Sequence, residues 1–292
     1  MKRSMAAWWF VGPALIVLGV FFFVPVLGAL LMSLTDFDLY ALSDWRNLRF
    51  IGFHNYVTLL QDPLFWKSLW NTLYFVVLGV PLSIGASLGA ALLVNSRLGR
   101  FRSFFRTVYF APVVTTLVAV AVVWRYIFHT RYGFLNYGLS GLGIDPIDWM
   151  GDPHWAMPAI VILAVWKNFG YNMIILLAAL QNIPEDLYEA ARIDGASGWQ
   201  VFRHITLPGI APVLLLVSIL TMTGYFQLFA EPYVMTEGGP LQSTLSVLYF
   251  MYEEGFKWWS LGRASAVAFL LFVLMFLVTA FQLRLGRQRG DR

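Results

Sequence analysis

The chain has 292 residues, of which 59% are hydrophobic and only 12% are charged. Soluble domains carry roughly one quarter charged residues, so this composition excludes an ordinary soluble protein and indicates a membrane protein. The absence of cysteine excludes disulfides and thiolate metal sites. The formal net charge of +4 is explained by membrane topology, so we infer no nucleic-acid partner from it.

The apolar residues fall into six blocks, each long enough for the roughly 20 helical residues that cross a bilayer core. Lys2 and Arg3 precede the first block as in a secretory signal, but this block is too long for one and lacks a clear cleavage site. We therefore expect an all-α integral membrane protein with about six spans in a single domain, residues 1–292. The predicted spans are Trp8–Leu34, Leu69–Val94, Thr107–Phe128, Met157–Leu180, Gly209–Glu231 and Ala264–Leu285.

Basic residues predict the orientation, because Lys and Arg concentrate in cytoplasmic connections. They cluster before the first block, between the second and third, and after the sixth, which places both termini in the cytoplasm. Six spans then also place the connection between the fourth and fifth blocks there, although its own charges do not favour that side. The clustered residues are Lys2, Arg3, Arg97, Arg100, Arg102, Arg106, Arg284, Arg287, Arg289 and Arg292.

The connection between the fourth and fifth blocks, Pro184–Pro208, is a polar, helix-forming insert. Its first proline suits the first turn of a helix, and Gly195 can supply the left-handed residue that ends it. Ser197 and Gln200 match a capping box that starts a second helix, and we expect Pro208 to stop that helix. The pattern predicts a helix–turn–helix, and composition alone would also fit an ordered amphipathic loop.

Polar and aromatic residues collect near the midpoints of the fourth and fifth blocks, which flank the insert. Such groups are costly in hydrocarbon, so they indicate either a transport site near the midplane or hydrogen bonds between helices. Lys167 lies beside them, and whether it binds a ligand or a partner acid stays open; Glu231 lies too near the end of its block to be paired with it. The collected residues are Asn168, Tyr171, Asn172, Thr221, Thr223, Tyr225 and Gln227.

The sequence favours no enzyme. A phosphate-binding P-loop needs Gly-Lys followed by Ser or Thr, and no Gly-Lys pair occurs. The four histidines lack the i, i+4 spacing of a zinc pair, and no nucleophile with its base is evident. A membrane-embedded enzyme would need ionisable groups clustered at one depth, which the blocks do not show.

The stretch EAARIDGASGWQVFRHITLP, Glu189–Pro208, resembles the EAA loop of the permease subunits of binding-protein-dependent ABC importers. The pattern of that loop is E-A-A, two residues, D-G-A, and later L-P. Thr236–Phe256 and Gly262–Phe272 resemble the last periplasmic loop and last helix of the carbohydrate-uptake branch, with its maltose-type, MetI-like permeases. The resemblance covers the chain from about Asn71 to the end of the sixth block.

The resemblance implies two sets of functional residues. The insert would seat in a cleft of an ATP-binding subunit, with Glu189 and Gly195 at the centre of the coupling residues Glu189, Ala190, Ala191, Asp194, Gly195, Leu207 and Pro208. Matching positions by their distance from the loop gives a sugar site of Asn168, Tyr171, Thr221, Gly224, Tyr225 and Leu228. Lys167 departs from the family pattern and leaves an anionic ligand open, so we add it to the site.

The resemblance also implies the assembly and the substrate. We expect a second permease subunit that is a different chain, two ATP-binding subunits that hold ATP and Mg²⁺, and a periplasmic binding protein that docks near Gly238–Pro240. No cofactor is expected in this chain. The implied substrate is a di- or oligosaccharide, with glycerol phosphate or a polyol as the alternative. A secondary transporter would usually show internal repeats, and no clear duplication is present.

Because the chain has no native cysteine, single cysteines can test the orientation. Cysteines at Ser96, Ser197 and Gln288 should be protected from an impermeant thiol reagent added to intact cells, whereas one at Ser140 should react. Labelling is measured as a mass shift before and after permeabilisation. Reaction of Ser197→Cys from outside would contradict the cytoplasmic position of the insert.

Overall fold

The computed structural model describes residues 2–95 and 102–290, and most of the described backbone is helical. The described residues form two compact units, one within Met1–Trp66 and Phe250–Val273 and the other within Lys67–Tyr249 and Leu274–Arg292. In chain order the helices are α1 (Lys2–Leu18), α2 (Val24–Ser33), α3 (Leu39–Ser43), α4 (His54–Gln61), α5 (Pro63–Asn95), α6 (Arg102–Val114), α7 (Leu117–Ile127), α8 (Phe134–Ser140), α9 (Pro153–Gln181), α10 (Glu185–Ile193), α11 (Gly198–Val201), α12 (Leu207–Phe226), α13 (Ala230–Met235), α14 (Val247–Tyr252) and α15 (Leu261–Gly290).

Five helical segments are long and apolar enough to cross a membrane. They match the first, second, fourth, fifth and sixth predicted blocks, so the all-α membrane class is confirmed. Several positions behind the orientation prediction lie outside the described residues, namely Ser96, Arg97, Arg100 and Arg292. The five segments are Trp8–Ser33, Pro63–Asn95, Pro153–Gln181, Gly198–Phe226 and Leu261–Gly286.

The third predicted block, Thr107–Phe128, is not one straight helix. Its two halves, α6 and α7, meet at a bend of 100°. Pro112 has no N–H to donate, which weakens the last turn of α6, and the Thr115 hydroxyl donates to the Pro112 carbonyl at 2.6 Å. The count reaches the predicted six spans if the bent pair crosses the membrane as one.

The fifth predicted block, Gly209–Glu231, ends too late. α12 ends at Phe226, and α13 begins at Ala230. Glu231 therefore lies in the first turn of a separate helix, where it is 9% exposed. The prediction was wrong because apolar composition continues through the break, whereas helical hydrogen bonding does not.

The predicted helix stop at Pro208 is also wrong, because helical backbone continues from Gly198 to Phe226. A π-helical turn, Phe202–Thr206, joins α11 to α12. In a regular α-helix a proline clashes with the carbonyl four residues earlier, and a widened turn directly before the proline relieves that clash. The second helix of the insert and the fifth span are therefore one continuous helix.

Of the five spanning segments, the one that forms α9 in the second unit is the most buried, with half of its most apolar stretch buried. α6 and α12 both pack against it. At Gly170 the backbones of α9 and α6 approach so closely that a Cβ would collide with the backbone of Tyr109 and Phe110. Close approach of two backbones, rather than an unusual dihedral angle, requires glycine at this position.

In the first unit, Arg263 at the start of α15 forms ion pairs with Asp62 and Glu254, the latter at 3.4 Å. Its guanidinium also lies 5.9 Å from the centroid of the Phe250 ring. Burial raises the pKa of Glu254, and the positive charge of Arg263 opposes that shift. These contacts tie the start of α15 to the end of α4 and to the turn after α14.

Gly170→Ala should destabilise the folded chain by about 1–3 kcal/mol, because the added methyl group would force α6 and α9 apart. Gly89→Ala in α5 is the matched control, since nothing lies within 4 Å of a Cβ there. Thermal melting of the purified proteins in detergent measures the difference. Equal melting temperatures for the two variants would contradict the close packing at Gly170.

Candidate functional site

A cavity of about 570 Å³ lies in the second unit, among α9, α12 and α13. All seven residues predicted for the substrate site line it, namely Lys167, Asn168, Tyr171, Thr221, Gly224, Tyr225 and Leu228. They meet because α9 and α12 pack against each other. Their role in binding a substrate stays a prediction.

The ammonium group of Lys167 is already engaged by backbone carbonyls. Its Nζ donates to the carbonyl oxygens of Pro112 and Val113, at 2.7 and 3.1 Å. These carbonyls belong to the last turn of α6, where the bend removes the donors that a continuing helix would supply. A cation also stabilises the negative end of a helix dipole. Lys167 therefore caps the C-terminal end of α6.

Two of the cavity's polar residues bond to each other across helices. The Asn172 side-chain amide donates to the Thr221 hydroxyl at 2.8 Å, and both residues are buried. The Asn168 amide donates to the Ala164 carbonyl of its own helix at 3.0 Å. For Asn172 and Thr221, the structure favours the interpretation as a hydrogen bond that joins two helices.

The two tyrosines of the cavity present different surfaces. Tyr225 is 5% exposed, and its ring lies 4.9 Å from that of Phe75, centroid to centroid. The ring also packs against Gly79 of α5, where a Cβ would come within 2.7 Å of it. Tyr171 is 50% exposed. Tyr225 therefore shapes the wall, and Tyr171 offers an accessible aromatic face.

The sequence pattern did not single out several residues of the cavity wall. A carboxylate beside an apolar block could have indicated Glu231, but its position at the end of a predicted span led us not to pair it with Lys167. The others come from helices whose approach only tertiary packing decides. These further lining residues are Phe75, Leu117, Leu220, Phe229, Ala230, Glu231 and Leu248.

The insert between α9 and α12 forms the predicted pair of helices. Gly195 follows α10 with a φ of +73°, the left-handed conformation that glycine adopts without strain. Ser197 and Gln200 form both hydrogen bonds of a capping box before α11. The Tyr188 hydroxyl lies 3.2 Å from that of Thr206, which fixes α10 against the π-helical turn. The insert therefore has a defined shape.

The predicted coupling residues lie on the surface of this insert. Glu189, Ala190, Asp194, Gly195 and Pro208 are exposed, and Ala191 and Leu207 are partly buried. Apolar side chains surround them, with Ile193 86% exposed and Trp199 66% exposed. A defined backbone shape with exposed apolar side chains beside it suits a contact with another protein.

The loop after α13 is held in place by a side chain of α5. The Asn71 amide donates to the carbonyls of Gln242 and Leu245, at 2.8 and 2.9 Å. The Gly238–Pro240 turn, predicted as a docking surface, lies in the same loop. Leu241 beside it is 79% exposed. The loop is therefore an ordered surface with an exposed apolar tip.

Spanning helices around a cavity, with an ordered insert between two of them, fit the architecture of a membrane transport permease. Residues 64–290 match the family described as the inner membrane component of binding-protein-dependent transport systems, and the chain belongs to that family. It is therefore a multi-pass inner-membrane protein and a component of a transport system.

Individual relatives match over nearly their whole length. The chain is 38% identical to the lactose transport system permease protein LacF of Rhizobium radiobacter, over 99% of this chain and 97% of LacF. It is also 38% identical to the trehalose/maltose transport system permease protein MalF of Thermococcus litoralis, over 96% and 92% of the two chains. A chain of a bacterial ABC transporter that imports the acidic polysaccharide alginate shares the fold, with a TM-score of 0.84, 24% identity and coverage of 98% and 96%.

Lys167→Met should destabilise the chain by about 1–3 kcal/mol, because it leaves two carbonyls at the helix break without donors. Lys167→Arg keeps a cation within reach and should retain most of the stability. Lys257→Met, which removes an ion pair of a largely exposed lysine, is the control. Melting in detergent is the measurement, and a wild-type melting temperature for Lys167→Met would contradict the cap.

Proposed function

We propose that the chain is the permease subunit of an ATP-driven importer that carries a di- or oligosaccharide across the bacterial inner membrane. The observation that carries this proposal is the cavity of about 570 Å³, lined by an accessible aromatic ring, amides and hydroxyls. Aromatic faces suit the apolar faces of a sugar, and amides and hydroxyls suit its edges. The relatives named for lactose and for trehalose/maltose support the same substrate class.

ATP hydrolysis belongs to two separate subunits, which hold ATP and Mg²⁺. The exposed insert is the surface on which an ATP-binding subunit docks, with Glu189 and Gly195 near its centre. Because helical backbone continues from Gly198 to Phe226, a displacement of the insert passes directly to Thr221 and Tyr225 in the cavity wall. Nucleotide-driven movement therefore reaches the substrate without a flexible joint.

The assembled importer contains a second permease subunit, a different chain, which shares the transport pathway. Both termini and the insert face the cytoplasm, in keeping with the basic connections. The loop around Gly238–Pro240 faces the binding protein, and its order and the exposed Leu241 support a docking role. The binding protein delivers the sugar to the cavity.

The test is ATP-dependent uptake of labelled neutral disaccharides by proteoliposomes that contain the complete complex. Glu189→Lys and Gly195→Trp should lower uptake at least tenfold by weakening the contact with the ATP-binding subunit, since both positions are exposed. Asp145→Lys changes an exposed acid outside the insert and is the control. Unchanged uptake and unchanged co-purification with the ATP-binding subunit in both insert variants would contradict the coupling role.

A further inference from the structure

A carboxylate lies in the cavity wall without a counterion in contact. Glu231, in α13, lines the cavity and is 9% exposed. Among the described residues, no Lys, Arg or His nitrogen lies within 4.0 Å of its carboxylate. A carboxylate has about four acceptor positions, so Glu231 can accept hydrogen bonds from a molecule in the cavity.

Buried polar groups are rarely left in this state, because each one without a partner costs free energy. A carboxylate beside a cavity can recover that cost when a ligand fills the cavity and donates to it. Hydroxyl groups of a sugar are such donors, and one carboxylate can accept from two of them. The position of Glu231 therefore points toward a ligand.

Lys167 lies in the same cavity wall, but it does not form the hydrogen bonds to Glu231 that a ligand could form. Two hydrogen bonds from Lys167 go to the carbonyls of Pro112 and Val113, which leaves at most one of its three protons for the cavity. Lys167 balances the charge of Glu231 through space rather than in an ion pair. An anionic group on a ligand would have only that remaining proton of Lys167 to bind and would share the cavity with the carboxylate of Glu231.

We propose that Glu231 determines the substrate specificity of the cavity, by accepting hydrogen bonds from the hydroxyls of a neutral sugar and by repelling sugars that carry a carboxylate, sulfate or phosphate. This inference rests on the proposed function, since it takes the cavity as the sugar site. It names the substrate as a neutral saccharide. Tyr171 and Gln227, which also line the cavity, supply the aromatic face and a further polar edge.

The test compares neutral and acidic saccharides in one complex. Uptake of labelled maltose, maltotriose and lactose, and of a digalacturonate, is measured with proteoliposomes that contain the whole importer and its binding protein. Because the same binding protein serves every variant, a changed ratio of acidic to neutral uptake must arise in the permease. Equilibrium dialysis of the same sugars against the detergent-solubilised complex, without binding protein, gives the affinities directly.

Glu231→Gln keeps the size of the side chain and removes its charge. It should weaken binding of the neutral sugar by about 10- to 100-fold, as expected for the loss of a hydrogen bond to a charged group, and raise the acidic-to-neutral ratio at least tenfold. Glu231→Asp keeps the charge and should keep the ratio near that of the wild type. Asp145→Asn, which neutralises an exposed acid away from the cavity, should change neither quantity.

An unchanged ratio in Glu231→Gln, in a complex that assembles, would overturn the inference and leave the proposed function in place. Failure of Glu231→Gln to assemble while Glu231→Asp assembles would also overturn it, since the carboxylate would then serve the fold. Preference of the wild type for digalacturonate would do the same. If the wild-type complex imports no saccharide of either kind, the proposed function itself falls.

Discussion

A helix that breaks inside a membrane needs hydrogen-bond donors from protein, because hydrocarbon supplies none. The bend between α6 and α7 creates that requirement at the Pro112 and Val113 carbonyls, and Lys167 meets it. One turn further along α9, Gly170 lets α6 approach to backbone contact. The two residues together hold α6 on α9, and Lys167 also lines the cavity.

The helix after the bend, α7, has a different packing partner. α7 packs against α13, and Arg125 donates to the Val234 carbonyl at 3.3 Å. α13 begins after the break that ends α12, and this brings Glu231 to the cavity rather than to the end of a span. Protein side chains accordingly donate to backbone carbonyls at both breaks, Lys167 to those of Pro112 and Val113 and Ser246 to that of Leu228.

Between the insert and the cavity the helix is continuous rather than broken. The π-helical turn Phe202–Thr206 keeps the helix continuous past Pro208, so α11 and α12 form one helical element. The capping box at Ser197 and the left-handed Gly195 fix the shape of the exposed end. The helix is therefore continuous from the insert to the cavity, whereas the helices around the cavity are broken.

The sequence by itself determined that the chain lies in a membrane, where its spanning helices fall and that a helical insert separates two of them. Long apolar blocks can only be helices in a bilayer, and the capping and glycine signals of the insert act within a few residues, so they were readable locally. The six residues matched by their distance from the insert, and Lys167 beside them, line the cavity, and their role in binding stays a prediction. The tertiary structure alone decided which groups those residues contact. The partner of Lys167 is a pair of carbonyls some 55 residues earlier, and composition does not show that carbonyls lack donors. Glu231 enters the cavity because a helix ends at Phe226, and an apolar sequence conceals that end, since hydrogen-bond geometry rather than hydropathy sets it.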